Sequence, residues 1–368
     1  MRRLIAACLL IGLWLGAPTA AQRASGTGSL LPARYTDAEF WRMVTEFSEA
    51  DGYFQSDNLV SNELTFQWVI PRLQANWKAG QVYVGVGPDQ NFTYLAALRP
   101  AAAFIVDIRR GNLRVHLMYK ALMEVSPTRA AFVSRLLSRP MPPQVSLPTD
   151  ASAEALFAAF DRVDSSEALF AETVRLVHER LAVQHGFALS KEDREGIEYV
   201  LSAFFYSGAS LAYSNAARGR YPTYRDLMTT TDQTGVAQSY LADETRYAAV
   251  REMQLRNLVV PIVGDFAGSK ALRALGAYLT DRQATVGVVY TSNVEQYLFQ
   301  YGTWPAYYAN VATWPTDAGS TFVRSCFNSC SSSPRSRSAQ LLDAVQPLLA
   351  DVTAGRLTSY WERLARSR

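Results

Sequence analysis

Two glycines and a run of acids are the residues whose types and spacing point to chemistry. Gly85 and Gly87 follow the apolar run Gln81-Val82-Tyr83-Val84 and precede Pro88-Asp89-Gln90-Asn91. A Gly turn between a strand and a helix brings backbone amides close to a ligand, and the positive end of the helix favours negative charge there. Asp107 lies twenty residues beyond Gly87 and closes a second apolar run, Ala103-Phe104-Ile105-Val106. An acid at that place is suited to ribose hydroxyls of a dinucleotide or nucleoside. Asp265 repeats the pattern in Gly264-Asp265-Phe266-Ala267-Gly268, directly after Leu258-Val259-Val260-Pro261-Ile262-Val263. It reads either as a substrate-orienting acid or base or as an acid favoured by a helix N-terminus.

Gly85, Gly87, Asp89, Asp107 and Asp265 are therefore the candidate cofactor-binding residues. A second group is Asp57, Asn58, Asn62 and Glu63, dense in one early loop, with Asn293 beyond a later strand. Ordinary turn chemistry accounts for such density; folding over a pocket is the functional reading. The pattern departs from two known fingerprints. The third Gly of a dinucleotide motif falls on Gln90, and that of a methyltransferase motif on Asp89. Tyr83 stands where methyltransferases carry an acid. Arg109 and Arg110 would suit a 2′-phosphate, but a solvated basic turn is the plainer reading. No Ser-His-Asp or Cys-His arrangement is supported, because the only histidines are His116, His178 and His185. No metal site is expected.

The elements that must position these residues alternate between strand and helix. Thr36-Asp37-Ala38-Glu39 is a capping box that starts a helix. A second helix is expected from Glu63 to about Trp77, kinked or split by Pro71. Strand, Gly turn and short helix follow to about Leu98, then a strand to Asp107 and a helix over 112–125. About 126–250 reads as a helical insertion without a convincing strand. Strands ending at Val263 and Tyr290 resume the rhythm, with Ser269 expected to cap the helix between them; residues 331–338 read as a polar loop, and a helical segment closes the chain. Alternation of this kind predicts an α/β fold with a mainly parallel sheet and helices on both faces. Trp304, Tyr307, Tyr308 and Trp314 read as packing residues.

Residues 1–21 read as a signal peptide: Arg2 and Arg3, an apolar run from Leu4 to Gly16, then small residues to Ala21. The remainder, 22–368, is expected to be one exported domain, periplasmic or extracellular. The chain has 36 basic and 33 acidic side chains, and removal of Arg2 and Arg3 leaves 34 against 33. That balance gives no electrostatic footprint for nucleic acid. No later stretch is long and apolar enough to span a bilayer. Cys326 and Cys330 would remain, and an oxidising compartment favours a disulfide between them.

The strings SDNLVSNE (56–63), VGVGPDQNFTY (84–94), FIVDIRRGN (104–112), VPIVGDFAG (260–268) and SNVEQYL (292–298) resemble an uncharacterised bacterial family of hypothetical proteins. Its members have a Rossmann-type, SAM-dependent methyltransferase-like fold. The resemblance implies that Gly85, Gly87 and Asp107 line a SAM-like pocket, with Asp265 near the adenine or substrate side. Three functions stay open on the sequence: a SAM-using methyltransferase, an exported α/β protein binding another small ligand, and a structural protein with an empty site. A cytosolic metabolite such as SAM sits poorly with export.

Overall fold

The computed structural model describes residues 29–142, 147–213, 221–327, 330 and 338–367. The expected leader, 1–21, lies outside the described residues, as does most of the polar stretch 331–338.

Helix α1 (Asp37–Glu46) opens with its capping box formed: Thr36 Oγ1 accepts from the Glu39 amide at 3.1 Å, and Glu39 Oε2 accepts from the Thr36 amide at 2.8 Å. Each bond satisfies a donor that the first helical turn leaves without a partner. A long connection leads to a 3₁₀ turn, Phe66–Val69, and then α2 (Ile70–Asn76). Pro71 does not split a helix beginning at Glu63; it sits in the first turn of α2, where its missing N–H costs nothing.

The central unit is β1 (Val82–Gly85), α3 (Gln90–Leu98), β2 (Ala103–Asp107) and α4 (Arg110–Val125). Pro88 stands two residues before α3 rather than opening it. Then come α5 (Arg129–Leu136), α6 (Ala153–Phe160), α7 (Glu167–His178), α8 (Lys191–Ser207), α9 (Tyr224–Thr229) and α10 (Glu244–Leu255). Among the described residues this stretch holds one isolated bridge, Ala212 to Thr223, and no strand. The remainder is β3 (Val259–Val263), α11 (Ala271–Asp281), β4 (Val286–Ser292), α12 (Val294–Gln300), α13 (Trp304–Val311), β5 (Thr316–Phe327), β6 (Ser338–Ala344), α14 (Val345–Thr353) and α15 (Tyr360–Arg366).

The six strands form one sheet in the order β3-β2-β1-β4-β5-β6. All neighbours are parallel except β6, which runs antiparallel to β5. Strands β1, β2 and β3 are buried at every position, so both faces are covered. Their Val/Ile-rich runs are what a doubly covered parallel sheet requires. Strand order reverses between β1 and β4, which opens a crevice beyond their carboxyl ends. Strands β5 and β6 were not expected from the sequence. The disulfide was: Cys326 and Cys330 are bonded, with Cα atoms 5.7 Å apart, because Cys326 lies next to the last residue of β5 and Cys330 in a turn beyond it rather than on one helical turn.

A buried charged cluster ties the inserted helices to the core. The Lys120 ammonium on α4 donates to Glu124 Oε1 at 2.6 Å, to the Gln254 carbonyl at 2.7 Å and to Asn257 Oδ1 at 2.5 Å. Glu124 Oε2 accepts from Arg180 Nε at 2.6 Å and faces His185 Nε2 at 2.7 Å; His185 Nδ1 faces Asp37 of α1 at 2.7 Å. Burial alone would raise the Glu124 carboxyl, but His185 and Lys120 outweigh it and hold it down to about 2. Removing one partner of such a buried pair costs about 3–5 kcal/mol, because the other charge is left uncompensated.

Candidate functional site

The Gly turn after β1 is built by one side chain. Asn91 Nδ2 donates to the carbonyls of Val86 (2.9 Å), Gly87 (3.1 Å) and Pro88 (2.7 Å), while Asn91 Oδ1 accepts from the Tyr83 hydroxyl at 2.8 Å. Gly85 makes room for this: a Cβ there would fall 2.1 Å from Asn91 Oδ1 and 2.7 Å from the Tyr83 ring. Tyr83, at the position of the missing methyltransferase acid, is thus a strut for the turn. Gly87 has φ +78°, a left-handed conformation that side chains other than Gly rarely adopt. His116 Nε2 lies 2.9 Å from the Gly87 carbonyl, which can only accept, so that nitrogen carries the proton. Burial lowers the His116 imidazole to about 4 and keeps it neutral.

Beyond this turn lies a cavity of about 1300 Å³ at the carboxyl ends of the strands. Small-molecule pockets commonly run from about 300 to 1,000 Å³, so the space exceeds the need of one small ligand. Its walls come from the early loop, the β1 turn, the end of β2, the turn after β3 and the β4 end, with α9 and Phe327 of β5. Of the residues proposed from the sequence, Gly87, Asp107, Asp265, Asn58, Asn62, Glu63 and Asn293 all line it.

Three proposed residues do not. Gly85 is the last residue of β1, set back from the cavity. Asp89 is fully buried beside α3, where its Oδ2 accepts from the Tyr240 hydroxyl at 3.1 Å and its Oδ1 has no partner among the described residues. Burial raises its carboxyl to about 7 against the opposing hydrogen bond from Tyr240. Asp57 faces α8, accepting from the Tyr199 hydroxyl at 2.7 Å, and lines a separate pocket of about 240 Å³. Tyr53, Phe54 and Arg109 line both spaces, so the early loop is a thin partition between them.

Asp107 stands at the end of β2 but is not a free acid. Its Oδ1 accepts from the Arg109 amide (3.0 Å) and Nε (3.1 Å), and its Oδ2 from Arg109 Nη2 (3.1 Å). Arg109 Nη1 donates onward to the carbonyls of Ser56, at 2.9 Å, and Asp57. The expected solvated basic turn is therefore corrected. Arg109 is buried and straps the early loop to the sheet, and Arg110 is paired to Asp193 at 2.7 Å. The N-terminus of α11 is likewise taken. Glu49 Oε1 accepts from the amides of Lys270 (2.8 Å) and Ala271 (2.9 Å), and Oε2 from the amide of Asp265 (2.9 Å). Glu49, not Ser269, caps this helix. Asp265 is exposed; its Oδ1 accepts from the Ala267 amide at 2.9 Å.

Glu63 is the most enclosed acid of the cavity, 1% exposed. Its Oε2 accepts from the Tyr290 hydroxyl (2.7 Å) and from Gln340 Nε2 (3.1 Å), and its Oε1 from the Ser292 hydroxyl. It joins the loop to the end of β4 and to edge strand β6. Among the described residues no Lys, Arg or His lies within ion-pair distance of it. Gln90 completes the chain, donating to the Tyr290 oxygen at 3.2 Å. The Tyr290 hydroxyl is pushed well above its ordinary value by burial and by the charge of Glu63. Gln90, Tyr290, Ser292 and Glu49 were not among the site residues expected from the sequence. The first three adjoin or lie within its motifs, whereas nothing local marks Glu49. No group of three or more His, Cys, Asp or Glu among the described residues is placed to hold a metal ion.

The fold and cavity define an α/β protein with a ligand-sized space at the switch point of a mostly parallel sheet. A family model described as a domain of unknown function, DUF7790, matches residues 58–141 and 150–351, well over half of the chain, and the chain belongs to that family. No curated protein matches the chain. No helix among the described residues is long and apolar enough to cross a membrane.

Proposed function

We propose that the cavity is the small-ligand site of a Rossmann-type, methyltransferase-like domain, and that SAM is the first cofactor to test in it. The observation that carries this reading is convergence: Gly87, Asp107, Asp265 and Asn293 follow or end four different strands and line one cavity. A volume of about 1300 Å³ has room for a nucleoside cofactor and a second molecule together.

The residues present fit such a cofactor in part. Gly87 has no side chain to hold a ligand away from the turn. Asp107 keeps one acceptor position for a ribose hydroxyl, since a carboxylate offers about four and Arg109 fills three. Asp265 presents Oδ2 at the rim. When bound, SAM would supply an electrophilic methyl group; the chain would bind and orient the acceptor and exclude water from it.

The Asp107–Arg109 pair also supports a second reading, a non-catalytic or non-SAM small-ligand-binding protein of the cell envelope, because the nucleoside-recognising acid is already engaged. The proposed export to the periplasm or exterior favours it too. Calorimetric titration of the full chain with SAM and with S-adenosylhomocysteine separates the two. The cofactor reading expects heat from both and its loss in Asp107→Ala; no heat at millimolar ligand overturns it in favour of the second reading.

A further inference from the structure

We infer that the ligand held in this cavity presents a protonated amine, an ammonium group with N–H donors, to the Glu63–Gln90 end of the site. The inference rests on the small-ligand reading above and not on the identity of the cofactor.

Three independent observations point the same way. The first is charge. The described residues lining the cavity include four carboxylates, Glu63, Asp107, Asp226 and Asp265, and one cation, Arg109. Arg109 is consumed by Asp107 and two main-chain carbonyls, so it offers an anion nothing. Among the described residues the charge facing the cavity is negative, and a low-dielectric cleft strengthens its field.

The second is hydrogen bonding. Among the described residues two lining side chains carry a buried polar atom without a partner, and both atoms are acceptors: Gln90 Oε1 and Asn58 Oδ1. Gln90 is 3% exposed, and its orientation is fixed by its neighbours. The Tyr290 hydroxyl gives its proton to Glu63, so its oxygen must accept, and Gln90 must direct its amino group there. Oε1 is then left asking for a donor. A buried acceptor without one is costly, and an ammonium group supplies three N–H donors. A phosphate or carboxylate supplies none.

The third is the wall. Phe54, Phe266, Tyr297, Tyr301 and Phe327 line the same space, and Phe54 packs edge-on against Tyr297 at 5.2 Å. Aromatic faces attract cations and repel anions.

The test is calorimetry on the full chain with three probes of similar size: benzylammonium, benzyl alcohol and benzoate. Benzylammonium is expected to bind at least about tenfold more tightly than either of the others, a difference typical of a partly desolvated cation against an aromatic wall. Asp265→Asn, which keeps the oxygen that accepts from the Ala267 amide, is expected to weaken benzylammonium about threefold relative to benzyl alcohol. Gln90→Met, which removes the orphan acceptor, is expected to weaken it further. Benzoate binding as tightly as benzylammonium, benzyl alcohol doing so, or no heat from benzylammonium at millimolar concentration overturns the inference. The cofactor reading fails separately: silence of SAM beside a preferred benzylammonium overturns that reading and leaves this one standing.

Discussion

Glu124 and Glu63 are both carboxylates withdrawn from water, and they are paired in opposite ways. Glu124 lies among the helices and meets Lys120, Arg180 and His185. Glu63 lies at the end of β4 and meets neutral donors, Tyr290, Ser292 and Gln340. A buried charge compensated by cations on several elements is a fastening. A buried carboxylate bordering an aromatic cavity, with neutral donors only among the described residues, lacks such a fastening, which is what the proposed ammonium would supply. The contrast separates scaffold from site inside one α/β unit.

Breaking the fastening should give the largest effect. Glu124→Gln leaves Lys120 and Arg180 short of a counter-charge, and urea unfolding should show a loss of about 3–5 kcal/mol. The same carboxyl sets an acid limit. Its folded value, about 2, lies below that of the unfolded chain, so the stability it contributes is present above the unfolded value and lost as pH falls toward 2. Asp193, held at about 2 by Arg110 and Arg114 against its burial, acts in the same direction. The variant should therefore show a shallower acid limb than the native chain.

Asp89 should act with the opposite sign. Its carboxyl, raised to about 7, binds a proton in the folded state that the unfolded chain releases near 4. Stability from this group falls as pH rises from about 4 to about 7. His116, lowered to about 4, opposes it up to about 6.5, so the Asp89 effect emerges most clearly between pH 6.5 and 7.5. Asp89→Asn should flatten thermal midpoints across that interval by a few degrees; an unchanged slope would remove Asp89 from the account.

A smaller loss is expected from Gly87→Ala, about 1–2 kcal/mol from the left-handed backbone. The added Cβ would also press on Gln90 Nε2 at 3.0 Å, so ligand affinity should drop with stability. Unaltered binding in a correctly folded Gly87→Ala protein would detach the β1 turn from the site.

Much of the central sheet is legible in the sequence. Strands β1 to β4 are Val/Ile runs ending in Gly or polar turns, and burial on both faces makes such runs conspicuous. The residues at their ends line one cavity for the same reason: parallel strands deliver their carboxyl ends to one edge. Strand β5 was not legible because it carries Thr316, Asp317, Gly319, Ser320 and Arg324, and β6 because Ser338-Ala339-Gln340-Leu341-Leu342-Asp343-Ala344 has no β-branched residue. Pairing between the two overrides that propensity. The cap on α11 was beyond local reading, since Glu49 lies more than two hundred residues from the helix it caps. Spacing put Asp107 at the end of its strand but did not show its capture by Arg109 two residues on, because spacing reports proximity and not which way a guanidinium turns. Motif position did not reveal where Asp89 points: the turn is held by Asn91, and Asp89 faces inward to Tyr240.

Glu63 is the residue at which site and scaffold divide. Glu63→Gln keeps the shape and one acceptor, so its unfolding free energy should lie within about 1 kcal/mol of the native value, as relief from burying a charge offsets weaker hydrogen bonds. Its affinity for benzylammonium should fall at least about tenfold. The direct measurement is that pair of numbers on one purified variant. Near-native stability with lost binding is the expected result. A stability loss as large as that of Glu124→Gln, with benzylammonium binding intact, would contradict the account.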